Sequence, residues 1–115
     1  MSIDSQIKDF NGLQWHDSKL LDVELTDGER GHNVVLTLEM RVGPVDAPAS
    51  ERKRLYLTDA REIKLDFDLI GKQQVSHDLW TAQCESKDQQ NLRFTFELIE
   101  PGGNLEVTAR AFHFS

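Results

Sequence analysis

Histidine stands beside aspartate twice in this chain, at His16-Asp17 and at His77-Asp78. Two imidazoles and two carboxylates form a donor set suited to zinc or a harder divalent ion. The two pairs lie far apart in the sequence, and adjacent side chains of an extended strand point to opposite faces. One pair therefore does not chelate easily by itself, and nothing in the spacing forces the pairs together. The sequence reading is no metal and no cofactor. A metal-dependent or small-molecule enzyme using His16, Asp17, His77 and Asp78 stands as the alternative.

The longer string Trp15-His16-Asp17-Ser18 supports two readings. In one it is an exposed recognition or catalytic cluster. In the other it is a strand-start motif, with Trp15 covering the end of the core and Asp17 or Ser18 bonding nearby backbone N–H groups. Nucleophilic catalysis has less to work with. Cys84 sits in an apolar-alternating stretch and reads as a small core residue rather than an activated thiolate. Ser18 beside His16 is not a triad, and neither a G-x-S-x-G string nor a phosphate-cradling G-x-x-x-x-G-K string occurs. Asp66 with Asp68, and Asp22 with Glu24, each share a strand face. Such carboxylate pairs serve as acid and base in enzymes, but here they read as the wet side of half-buried strands, or as a negative stripe for a basic partner. No catalytic residue is assigned.

The elements that hold these residues follow from hydrophobic spacing. Ile3, Ile7 and Phe10 fall on one helical face, Ser2 or Asp4 is the cap, and Asn11-Gly12 is the stop. The period then changes from helical to twofold. Leu21, Val23 and Leu25 alternate with polar residues, as do Val34, Leu36, Leu38, Met40 and Val42. The glycine-containing loop from Asp27 to His32 joins these two runs as a hairpin. The stretch from Gly43 to Ser50 reads as a loop or irregular edge because of its prolines. Leu55-Tyr56-Leu57 is a third strand, Asp59-Ala60-Arg61 a turn, and Ile63, Leu65, Phe67 and Leu69 a fourth. Trp80, Ala82 and Cys84 suggest a short fifth strand. Leu92, Phe94, Phe96 and Leu98 make a sixth, and Leu105, Val107, Ala109 and Ala111 a seventh, after the turn at Pro101 to Asn104. Phe112 and Phe114 fall on the opposite parity, so either a bulge shifts the register or the last residues pack on a second surface. No internal repeat is evident.

The expected fold is a mainly β single domain spanning residues 1–115, with about seven antiparallel strands and one short N-terminal helix. It is arranged as a meander or a two-sheet sandwich.

Composition narrows the function classes. The 115 residues include 20 acidic and 13 basic side chains, for a net charge of −7. That balance repels phosphate backbones and argues against a nucleic-acid partner. The basic run Arg52-Lys53-Arg54 reads as the solvated start of a strand. A single cysteine excludes a disulfide within the chain and a multi-cysteine zinc site. Without a leader-like or membrane-spanning stretch, the expected location is the cytoplasm.

Trp15-His16-Asp17-Ser18 followed by Leu20-Leu21-Asp22-Val23 resembles the opening of several small bacterial β-domain families. Among these are immunity proteins of polymorphic toxin systems. The strand from Gly103 through Leu105, Val107 and Ala109 is similar to their closing strand. The resemblance implies a non-enzymatic protein that binds and blocks another protein, and it supplies no catalytic residues.

The expected function is therefore a protein-binding module, of the immunity-inhibitor kind, steered by its acidity to a basic partner. Trp15, His16, Asp17 and Ser18 lead the partner-binding residues, with Tyr56 and Trp80 behind them. A self-associating domain that dimerises through a strand edge is the remaining alternative.

Overall fold

The computed structural model describes residues 3–13, 15, 18–28, 31–42, 46, 49–66, 77–100 and 103–115, without the side chains at 42, 65, 66, 77, 78, 80, 99 and 100. It shows a mainly β protein: one helix, α1 (Ile3–Asn11), followed by eight strands. These are β1 (Lys19–Gly28), β2 (Gly31–Val42), β3 (Ala49–Ala60), β4 (Glu62–Asp66), β5 (His77–Ser86), β6 (Leu92–Glu100), β7 (Gly103–Ala109) and β8 (Ala111–Phe114). All pairings are antiparallel.

The hydrogen-bonded order is β4-β7-β6-β5-β1-β2-β3-β8. It folds into two layers, β1-β2-β3-β8 and β5-β6-β7-β4, because two of its strands turn corners. Only Arg61 separates β3 from β4, and only Arg110 separates β7 from β8. The two corners lock reciprocally: Arg61 N–H donates to Thr108 O at 2.8 Å, and Arg110 N–H donates to Thr58 O at 2.9 Å. Bends of this kind let one strand serve both layers of a β-sandwich. The strands at the two ends of the order are thus continuations of interior strands.

Asp59-Ala60-Arg61 is therefore a layer switch and not the chain reversal that its composition suggests. Asp59 takes the left-handed φ of 53° that aspartate tolerates better than most residues. Arg52-Lys53-Arg54 lies in the third strand as its sequence suggests, and the strand begins earlier, at Ala49, within the stretch expected to be a loop or irregular edge. The Arg110 corner shifts the register and brings Phe112 and Phe114 opposite Leu57 and Leu55. Phe67 and Leu69 lie outside the described residues.

The core lies between the layers. Val34, Leu36, Leu38, Leu55 and Leu57 face Leu79, Leu92, Phe94, Phe96, Leu105 and Val107, all without solvent exposure. Helix α1 presents the face formed by Ile3, Ile7 and Phe10 to this core. Phe10 is fully buried, with its ring centroid 4.6 Å from that of Trp15, 5.1 Å from Phe94 and 5.2 Å from Phe112.

Beyond Lys19 and Leu20, which pair with Asp78 and His77, no further pairing joins β1 to β5 among the described residues. Beyond the start of β1, helix α1 covers this edge of β5. Asn11 Nδ2 donates to Cys84 O at 3.0 Å, and Cys84 N–H donates to Asn11 Oδ1 at 2.7 Å. One side chain thus supplies the donor and acceptor that a neighbouring strand would have supplied. Among the described residues no helix is long and apolar enough to cross a membrane.

Candidate functional site

The Trp15 to Ser18 string divides in the structure. Trp15 is 3% exposed, and its indole Nε1–H donates to Phe10 O at 2.8 Å. A Trp with its one polar atom bonded internally is a core side chain. It is therefore not an exposed aromatic anchor for a partner, and this corrects the recognition-cluster reading at that position. Ser18 is buried too. Its backbone N–H donates to Trp15 O at 3.0 Å, and its carbonyl accepts from Leu79 N–H at 2.8 Å. His16 and Asp17 lie outside the described residues. His77, Asp78 and Trp80 belong to β5, and their side chains are outside the description.

The backbone nevertheless sets Lys19 and Leu20, just after the first His-Asp pair, beside the second pair. Lys19 pairs with Asp78 and Leu20 with His77, directly after the Ser18–Leu79 bond. Sequence spacing gave no sign of this, because strand pairing between distant segments carries no local signature. Among the described residues no group of three or more His, Cys, Asp or Glu is placed to hold a metal ion.

Cys84 is buried against the core, and burial, with a smaller contribution from the Glu85 charge, pushes its thiol up to about 12. The thiolate needed for nucleophilic attack is therefore not formed near neutrality.

One exposed surface that combines aromatic and charged side chains is the outer face of the β1-β2-β3-β8 layer. Cross-strand partners share a face. Pairing therefore places Glu24, Val35, Tyr56 and His113 in one row across the four strands. Asp22, Thr37 and Arg54 form the adjacent row. The Tyr56 and His113 rings stack at 4.9 Å with 4° between their planes. Arg54 Nη2 reaches Glu24 Oε1 at 4.0 Å, linking the rows. Val35 faces outward by this alternation and is still only 1% exposed, because its neighbours cover it.

The result is a small apolar and aromatic centre with acidic side chains along its β1 side. Such a surface offers a flat ring stack for packing, and charge at the margin for orientation. Tyr56 was legible as a surface aromatic. His113 and Val35 were not singled out, although His113 sits between two phenylalanines of the opposite parity, which was the available signal.

The basic run has structural occupations. Arg54 meets Glu24, Arg52 pairs across from Glu39, and Lys53 Nζ lies 5.5 Å above the Phe114 ring. Asp22 and Glu24 are both exposed. The side chain of Asp66 and the whole of Asp68 lie outside the description.

Compared with known proteins, the chain matches no family model, no curated protein and no solved structure.

Proposed function

We propose that this chain is a non-enzymatic protein-binding module of the immunity-inhibitor kind, and that the outer face of the β1-β2-β3-β8 layer meets a basic partner. The observation that carries the reading is the Tyr56–His113 stack beside covered Val35, bordered by Asp22 and Glu24. Stacked rings give contact area at low conformational cost, and aromatic residues dominate the energetics of most protein interfaces. The net charge of −7 supplies long-range attraction for a basic surface. The test is direct binding to the basic products of genes adjacent to its own, with Tyr56→Ala alongside. The reading requires binding that weakens by at least about tenfold in the variant, as expected for an interface hot spot. Absence of binding by all of those products counts against it.

A second reading rests on the pairing of Lys19 with Asp78 and Leu20 with His77. That pairing sets His77 and Asp78 beside the residues that follow His16-Asp17, and on that nearness rests a metal-dependent role for His16, Asp17, His77 and Asp78. Stoichiometric metal in the purified protein, lost on His77→Ala, would favour it over protein binding.

A further inference from the structure

Helix α1 ends at Asn11, and Gly12 follows, making the one Asn-Gly pair of the chain. The other asparagines, Asn33, Asn91 and Asn104, precede valine or leucine. Asparagine is a labile side chain, and most of all before glycine. The glycine nitrogen is unhindered and its backbone swings freely, so it can attack the neighbouring side-chain amide and close a small imide ring. Asn11 and Gly12 are both exposed, so water reaches them. In the folded chain, however, the reacting groups are engaged elsewhere. The Gly12 N–H donates to Lys8 O at 3.0 Å. Cys84 holds both polar atoms of the Asn11 amide, with Nδ2 donating to Cys84 O at 3.0 Å and Oδ1 accepting from Cys84 N–H at 2.7 Å. Ring closure requires that all three bonds be released, which means that the last turn of α1 opens away from β5.

We propose that Asn11-Gly12 is a self-modification site guarded by the α1–β5 contact, and that its conversion keeps the contact from closing fully again. When the contact opens, the Gly12 nitrogen bonds to Asn11 Cγ, the Cγ–Nδ2 bond breaks, and ammonia leaves with the proton from the Gly12 nitrogen. Water then opens the imide, and an aspartate or isoaspartate takes the place of Asn11. Water is the only co-reactant. The change is one-way. A carboxylate accepts but does not donate, so Cys84 N–H keeps a partner while Cys84 O faces a negative oxygen. In the isoaspartate the backbone runs through the former side chain, so the acceptor moves as well. The side chain that completes the β5 edge thus also limits how long that edge stays covered.

Incubation of the intact chain at mildly alkaline pH, followed by the mass of the peptide that carries Asn11, tests the site. Asp27-Gly28 can form the same ring without a change of mass, so the mass gain reports asparagine alone. Conversion in the native chain should be at least about tenfold slower than in the chain unfolded by urea. Equal rates overturn the proposal, since the contact then guards nothing. Ile7→Ala loosens the packing of α1 and leaves Asn11-Gly12 in place, so it should speed native conversion about tenfold. Ile3→Ala, on the same face of the helix, serves if that variant does not fold. Val34→Ala, in the core of the other layer, should have much less effect. No acceleration by the helix variants, or equal acceleration by Val34→Ala, overturns the proposal, because conversion then does not pass through opening of the contact. Converted protein, isolated by its added negative charge, should alkylate at Cys84 about tenfold faster than the unconverted chain. An unchanged rate at Cys84 would show that the contact closes again, and would equally overturn it.

Discussion

Phe10 and Trp15 show how much of this protein depends on a few side chains. Phe10 touches Trp15, Phe94, Phe96 and Phe112, so it joins the helix to both layers. Phe10→Ala should cost about 3–5 kcal/mol, by lost transfer energy and by the cavity left between layers that cannot collapse fully. Chemical denaturation monitored by Trp fluorescence would measure it. Tyr56→Ala should cost far less stability, because its ring lies on the outer face, and this separates a binding defect from a folding defect.

Cys84 gives a prediction of the opposite kind. Its folded thiol titrates at about 12 against an ordinary 9.0. The folded state therefore holds its proton longer than the unfolded state. The stability it contributes is complete below 9.0 and declines as pH rises from there towards about 12. In practice Cys84 should resist alkylation at pH 8 in the native protein and react once denatured. Fast native labelling would show that the α1–β5 contact opens readily.

The role of Trp15 was half legible. An aromatic ahead of the first strand signals either a core lid or a surface anchor. Only the Phe10 carbonyl that accepts its indole N–H decides for the interior.

The elements owe their boundaries to polar groups that substitute for missing strands. Asn11 ends α1 and completes the β5 edge at once, so Asn11→Ala should leave the Cys84 N–H and C=O partly buried and unpaired, at about 1–3 kcal/mol. Thermal unfolding checks this, and Asn11→Asp should recover only the acceptor half.

At the β1-β2 hairpin, a Cβ on Gly28 would stand 2.7 Å from Asn33 Oδ1. That oxygen accepts from Asp59 N–H at 3.2 Å and so steadies the β3–β4 corner. Gly28→Ala should therefore loosen the corner as well as the hairpin, with a loss of stability of about 1–3 kcal/mol by the overpacking mechanism. The ion pairs of Arg61 and Arg110 with Asp59, at 3.3 and 4.0 Å, add little, since both guanidinium groups are well exposed.

Between β5 and β6 the Asp88 carboxylate accepts from the Gln90 and Asn91 backbone N–H groups and from the Asn91 side chain. These bonds hold it below its usual 3.8. The folded turn thus binds its proton less readily, and the support it gives is present above 3.8 and fades as pH falls further.

Twofold alternation made β6 and β7 legible, since each buries one side. The β3–β4 corner was not legible. Asp-Ala-Arg carries the same local turn preferences whether the chain reverses or changes layer, and the choice is made by β7 and β8, almost fifty residues later in sequence.

Across the whole molecule the two layers have related connectivity. β1-β2-β3 continues into β4, which pairs with β7, and β5-β6-β7 continues into β8, which pairs with β3. Each half thus hands its last strand to the other. The corners repeat Thr and Ala-Arg, as Thr58-Asp59-Ala60-Arg61 and Thr108-Ala109-Arg110, with Asp59 as the extra residue of the first. This approximate twofold relation is invisible as a sequence repeat because layered packing constrains only which side of each strand is apolar. The exchanged strands make the halves interdependent, so denaturation should be a single cooperative transition. A resolved intermediate with one layer folded would contradict this.

The inner faces and α1 form the core, while Asp22, Glu24 and Tyr56 lie on the outer face of the first layer, to which the proposed partner binding is assigned.

The most direct test is the association rate with a basic partner encoded beside its own gene, followed as ionic strength rises, for the native chain and for Asp22→Lys combined with Glu24→Lys. The rate should fall with salt in the native chain, and after the reversal it should be slower and less steeply salt-dependent. A rate indifferent both to salt and to the reversal would contradict the account.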